Sequence, residues 1–202
     1  MKEKKYRYGN LPIPGGGYVT GFLFHPKKEK VLYLRTDIGG NYRFDYGSQT
    51  WRSLSEKVNM LDLAETYPIA IATDPSNADS LYVMSGTDGA VDENGAFCGK
   101  LSVSLDGGKT FESRKVPFYV HGNMNGRGTG FRLIKDPSRE NTFYFASQKD
   151  GLLRTRDLGE SWERLKCGGE QFMTFVWCSE DGKVILAGTA GVTTGNERFR
   201  GA

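Results

Sequence analysis

The sequence is poor in the residues that build metal centres and disulfide frameworks. Its two histidines, His25 and His121, lie far apart and have no second ligand at metal spacing, so no metal site is expected. Its three cysteines, Cys98, Cys167 and Cys178, give neither an even framework nor a CxxC pair, and free thiols are expected. No apolar run approaches the roughly 18 residues that a membrane-spanning helix needs. Met1 to Asn10 is charged and lacks the apolar core of a secretory signal, so the sequence as it stands shows no export address. The net charge is only +3. The basic residues are scattered apart from the first five positions and Lys27, Lys28 and Lys30, and the lack of a basic stripe argues against nucleic acid as a partner. No cofactor is expected.

Glycine is abundant instead, at 27 residues, and aromatics reach 12%. Many glycines and aromatics without long apolar runs imply short strands joined by turns. An internal repeat gives those strands an order. A histidine or aspartate followed by proline occurs at His25-Pro26, Asp74-Pro75 and Asp136-Pro137, and a tyrosine follows each proline by seven residues: Tyr33, Tyr82 and Tyr144. Each tyrosine lies in a β-branched and aromatic run, VLYLRTD, SLYVMSG or TFYFASQ.

Two turns downstream fit the Asp-box pattern S/T-x-D-x-G-x-T/S-aromatic, Ser104 to Phe111 and Thr155 to Trp162, and a looser copy runs from Asp45 to Trp51. The box aspartate accepts backbone N–H groups across the turn and the glycine permits a positive φ, so these aspartates read as fold markers and not as catalysts. Each unit is the size of a four-stranded propeller blade. The expected architecture is all-β: a partial propeller with blades at about 16–54, 67–116 and 130–165, and an incomplete one at 171–202. Propellers close with four to eight blades, so three and a half blades are expected to belong to a longer chain.

Ligands of propellers meet the loops at one end of the axis. Leu34-Arg35-Thr36-Asp37-Ile38-Gly39-Gly40 ends a strand on an aspartate followed by glycines, which let a ligand approach the backbone. Pattern alone leaves Asp37 open between a turn residue and a site carboxylate. Two longer insertions, 88–99 and 117–130, are glycine-rich loops of the kind that carries binding groups. Asn123, Arg127 and Tyr119 in the second are suited to hydrogen-bonding or stacking on sugars, and solvated loops are the plain alternative.

The stretch Pro14 to Gly21, then Phe24-His25-Pro26, Leu32-Tyr33 and Arg35 to Arg43, resembles glycoside hydrolase family 74, the xyloglucanases and related β-1,4-glucanases. Ile71 to Pro75 and the loop Gly122 to Gly130 resemble it too. The resemblance implies two seven-bladed propellers facing across a cleft and hydrolysis of β-1,4-glucan or xyloglucan with inversion. It implies Asp37 as the catalytic base; Tyr18, Arg35, Asn123 and Arg127 are expected to bind substrate. The general acid would lie in a second propeller outside these 202 residues, so the chain alone is expected to be inactive. Relatives of this kind are usually secreted.

The sequence also departs from the family. Tyr67-Pro68-Ile69-Ala70 stands where a Gly-Val-Glu-Ser run is usual, and Phe131 replaces the glutamate usual after the glycine-rich loop. These losses keep open a non-catalytic Asp-box propeller that binds carbohydrate or protein. A sialidase, with Arg132 on the substrate carboxylate, is a further alternative.

Overall fold

The strands built on unbroken apolar runs are those covered on both sides. In the computed structural model, which describes residues 8–9, 12–56, 63–88, 99–167, 172–190, 193–194 and 197–198, the middle strand Leu32–Thr36 is buried throughout, as is Phe143–Ala146. A strand packed on both faces has no solvent side on which to alternate polar residues. Glu112–Val116, at an outer edge, is mostly exposed and mostly polar.

Three four-stranded antiparallel sheets follow one another along the chain. The first comprises β1 (Val19–Phe24), β2 (Leu32–Thr36), β3 (Asn41–Asp45) and β4 (Thr50–Ser53). After a short helix, α1 (Leu63–Thr66), the second comprises β5 (Pro68–Asp74), β6 (Asn77–Ser85), β7 (Gly99–Ser104) and β8 (Glu112–Val116). The third comprises β9 (Leu133–Lys135), β10 (Phe143–Ala146), β11 (Leu152–Thr155) and β12 (Glu163–Leu165). In each sheet the spatial order follows the chain order. A hairpin of β13 (Met173–Cys178) and β14 (Ile185–Thr189) packs against the third sheet, and a two-residue pair, β15 (Thr193–Thr194) and β16 (Glu197–Arg198), follows. The sheets fan out as propeller blades. Their first strands converge on an apolar groove of about 550 Å³, walled by residues including Phe24, Phe131, Phe175 and Trp177.

Each seam between blades is an apolar core that contains a repeat tyrosine. Tyr33 meets Ile71 and Leu81 at the first seam, and Tyr82 meets Phe143 at the second, with ring centroids 4.4 Å apart. Tyr144 meets Met173 and Val176 at the third. The proline corners also reach the next blade. His25 Nδ1 accepts the N–H groups of Lys27 and Lys28, so Nε2 carries the proton and donates to the Asp74 carbonyl at 2.9 Å. Asp74 in turn pairs with Lys135 at 3.6 Å.

The Asp boxes are self-contained turns. Asp106 Oδ1 accepts the N–H of Lys109 (2.9 Å) and Thr110 (3.0 Å), and the Ser104 hydroxyl accepts the N–H of Gly108 (2.8 Å). Gly108 takes φ +82°, where a Cβ would be strained. Asp157 repeats the arrangement, and the hydroxyl and N–H of Ser161 bring its carboxyl down to about 2. The looser copy is one residue longer than the pattern between Gly47 and Trp51; there Asp45 accepts the Gly47 and Ser48 N–H groups, and Gln49 takes φ +58°. The box aspartates hold turns at the end of the propeller away from Asp37.

Candidate active site

The turn after β2 is fixed by its own short side chains. Thr36 Oγ1 accepts the N–H of Gly39 (2.8 Å) and donates to the Gly40 carbonyl (3.0 Å), and the Tyr42 hydroxyl donates to Gly39 O (2.9 Å). This leaves Asp37 pointing into the junction between three connections: its own turn, the segment leading into β1, and the 117–130 loop between the second and third blades.

Asp37 is held by two of these. Its Oδ1 accepts the backbone N–H of Tyr18 at 2.7 Å, and Asp37 N–H returns a bond to the Tyr18 carbonyl at 3.0 Å. Oδ2 accepts Nε–H of Arg127 at 3.1 Å. The carboxylate is 8% exposed and Arg127 33% exposed, so the ion pair is half sunk into the surface. The Arg127 guanidinium also lies over the Tyr18 ring, 5.9 Å from its centroid, and that ring is 64% exposed. The terminal nitrogens of Arg127 make no hydrogen bond among the described residues. The arrangement therefore offers a carboxylate, a guanidinium with free donors and an open aromatic face, a set that can bind the hydroxyls and the apolar face of a sugar ring.

Two buried arginines from different blades hold the loop that delivers Arg127. Arg35, on β2, is 2% exposed and donates to Thr20 Oγ1 (2.8 Å), the Arg127 carbonyl (2.9 Å) and, at a longer 3.4 Å, the Gly130 carbonyl. Arg132, fully buried, donates through Nη2 to Gly126 O and Thr129 Oγ1, both at 3.1 Å, and through Nη1 to the carbonyls of Ala146 and Met173. Burial pulls both guanidinium pKa values down to about 10. Within the loop, Arg127 N–H bonds Met124 O and Thr129 N–H bonds Gly126 O, each at 3.1 Å.

The structure thus brings together Tyr18, Asp37 and Arg127 from the expected site. Arg35 joins them from beneath, through the Arg127 carbonyl, and is itself buried. Asn123 is exposed in the same loop, with its N–H on His121 Nδ1 at 3.1 Å. Tyr119 is bound to its neighbours: its hydroxyl meets Met124 Sδ at 2.7 Å, and the Lys149 ammonium lies 3.6 Å from its ring centroid. Most of the other insertion, 89–98, lies outside the described residues. The glycines of the turn serve a different purpose from the one expected. A Cβ on Gly39 would overlap the Gly16 carbonyl oxygen, and one on Gly17 would stand 2.9 Å from Asp37 Oδ1. They admit the chain's own 15–18 segment to Asp37. Arg132, the residue of the sialidase alternative, is sealed against backbone carbonyls and cannot face a substrate carboxylate. No pattern marked Arg132 as a clamp, because the bonds that anchor it to the blades, to the carbonyls of Ala146 and Met173, reach 14 and 41 residues along the chain.

The fold and this constellation define an Asp-box β-propeller whose inter-blade connections present a carboxylate, an arginine and an aromatic ring at one end. No protein-family model matches the chain. A xyloglucanase of a Paenibacillus species is 37% identical over 153 residues, 75% of this chain and 15% of its own length. The solved family 74 glycoside hydrolase of Niastella koreensis superposes with TM-score 0.72 and 30% identity over 84% of this chain and 25% of that one. The solved family 74 xyloglucanase of Xanthomonas campestris gives TM-score 0.72 and 30% identity over 92% and 29% respectively. The chain is a xyloglucanase-like propeller segment of glycoside hydrolase family 74, and it spans less than a third of the length of each of these relatives.

Proposed function

We propose that this chain supplies one wall of the substrate cleft of an inverting glycoside hydrolase that acts on xyloglucan or a related β-1,4-glucan, with Asp37 as the general base. The Tyr18–Asp37–Arg127 cluster carries the proposal. An inverting enzyme needs a carboxylate that activates water on one side of the sugar ring, and an acid roughly 6.5–9.5 Å away that protonates the leaving oxygen on the other. Asp37 has the first role. One of its oxygens is fixed by a backbone N–H, and the other is shared with a guanidinium that is partly exposed and can turn to a substrate oxygen. Tyr18 offers its ring to a pyranose face, and Arg127 and Asn123 offer donors to its hydroxyls. Arg35 acts as a positioning residue through the Arg127 carbonyl. The acid belongs to a part of the protein beyond these 202 residues, and the chain by itself is not expected to turn over substrate.

A second reading, a carbohydrate-binding module without chemistry, is favoured by one observation. Both oxygens of Asp37 already accept a hydrogen bond, from the Tyr18 N–H and from Arg127 Nε–H.

Titration of the chain with xyloglucan oligosaccharides tests both readings. Saturable binding is expected, retained in Asp37→Ala and weakened about tenfold in Arg127→Ala. Absence of binding by the unmutated chain would refute a sugar cleft of either kind. Turnover of xyloglucan by this chain at ordinary enzyme rates would refute the assignment of the acid to another part of the protein. If a longer protein carrying this segment hydrolyses xyloglucan as fast with Asp37→Ala as without it, the base is misassigned and the binding reading stands.

A further inference from the structure

The end of the propeller opposite Asp37, where the Asp-box turns lie, carries a polar groove of about 460 Å³ along the seam between the first two blades. Four cations line it, Lys30, Arg43, Arg52 and Lys109, together with Asp45, Asp79 and Asp106. Arg43 and Arg52 stand directly opposite each other on β3 and β4. Like charges in that register are destabilising unless something neutralises them. Neither forms an ion pair among the described residues. Arg43 Nη1 at 2.9 Å and Arg52 Nη2 at 3.4 Å both donate to one acceptor, the Gly107 carbonyl, which leaves most of their N–H groups unused.

The acids of the groove do not take up those donors. Asp106 is spent on its Asp-box turn, and Asp45 accepts the N–H groups of Gly47 and Ser48. Asp79 makes no side-chain hydrogen bond among the described residues. Behind Arg43, whose guanidinium lies 5.6 Å from the Tyr33 ring centroid, the Tyr33 side chain is fully buried and its hydroxyl has no hydrogen-bond partner among the described residues. The charges that act on that hydroxyl are those of Arg43, Asp79 and Arg52, all residues of the groove wall.

Facing guanidiniums with free donors match a planar carboxylate bound by paired hydrogen bonds. The three acids in the same walls oppose a compact dianion such as phosphate, whereas Asp79 can accept from neutral hydroxyls. We propose that this groove binds a uronic acid unit of an acidic saccharide, with its carboxylate on Arg43 and Arg52 and a hydroxyl on Asp79. The site lies at the other end of the blades from the Asp37 cleft and does not depend on the glycosidase reading.

Calorimetric titration of the chain at low ionic strength with glucuronate and galacturonate, with glucose and inorganic phosphate as controls, tests the proposal. Saturable binding of a uronate is expected, at least about tenfold tighter than either control and about tenfold weaker in Arg52→Gln. Arg52 and Lys109 are exposed, so Arg52→Gln and Lys109→Gln preserve the fold. Uronate binding that is absent from the unmutated chain, or that survives unchanged in Arg52→Gln combined with Lys109→Gln, overturns the site. Phosphate bound as tightly as uronate overturns the acidic-sugar assignment. Xyloglucan oligosaccharide binding is expected to be the same in Arg52→Gln as in the unmutated chain, which separates failure here from failure of the Asp37 cleft.

Discussion

Replacing Arg35 by methionine separates the loop clamp from the fold. The guanidinium makes three bonds, two of them to carbonyls of the 126–130 loop, Arg127 at 2.9 Å and Gly130 at 3.4 Å. A hydrogen bond from a charged donor contributes about 1.5–3 kcal/mol, and a contact at the long end of the range contributes little. The loop therefore loses on the order of 2–3 kcal/mol of local stability. Global stability falls by less, because methionine fills most of the volume and the change also removes a buried cation that has no carboxylate partner among the described residues. Hydrogen–deuterium exchange reads the difference. The amides of Arg127 and Thr129, bonded within the loop to Met124 O and Gly126 O, are expected to exchange on the order of thirty- to a hundredfold faster. Amides of β6 and β10 should keep their protection. Unchanged exchange at Arg127 and Thr129 refutes the clamp. An equal loss of protection in the strands shows instead that Arg35 holds the blade.

Other perturbations test the seams, the turns and the site glycines. Phe143→Ala removes a fully buried ring 4.4 Å from Tyr82 and is expected to cost about 3–5 kcal/mol in urea unfolding, whereas a loss below about 1 kcal/mol would mean that the second seam is not closed as described. The Asp157 carboxyl is depressed from 3.8 to about 2, so its stabilising effect is fully present above about pH 4 and disappears as pH falls through 2. The urea midpoint between pH 5 and pH 2.5 should accordingly fall more steeply in the unmutated chain than in Asp157→Asn. Gly39→Ala places a Cβ on the Gly16 carbonyl oxygen, a backbone contact that no rotamer relieves; it is expected to free the Tyr18 amide to exchange and to weaken oligosaccharide binding, while Gly128→Ala, with open space around it, changes neither.

The blades were legible because the features that make them act over short distances. An Asp box closes on itself within a few residues: Ser104, Asp106, Gly108 and Thr110 satisfy one another, and the sequence shows all of them at once. The apolar runs around Tyr33, Tyr82 and Tyr144 were legible for a related reason, since a strand between two sheets must be apolar on both faces whatever its neighbours are. The helix Leu63–Thr66 was not foreseen, because four residues are too few to carry a helical period. The left-handed Gln49 in the first box was hidden by the expectation that glycine fills such positions.

The site was legible only in part, and the division follows sequence separation. Asp37 stands in a motif whose turn bonds, Thr36 to Gly39 and Gly40, are local, so the motif marks it. The contact that gives it an electrostatic partner, Arg127 Nε to Asp37 Oδ2, spans 90 residues, and the bond from Arg35 to Gly130 O spans 95. Those distances are set by how two blade seams close, which no local pattern encodes. In the sequence Arg35 stands two residues before Asp37 and Arg127 stands between two glycines, and neither setting tells which of the two is exposed. Packing sends Arg35 beneath the loop at 2% exposure and leaves Arg127 beside Asp37 with its side chain 33% exposed. On the proposed reading, Arg127 exchanges its bond to Asp37 for one to a substrate oxygen, and Arg35 acts on that substrate only through the backbone it holds.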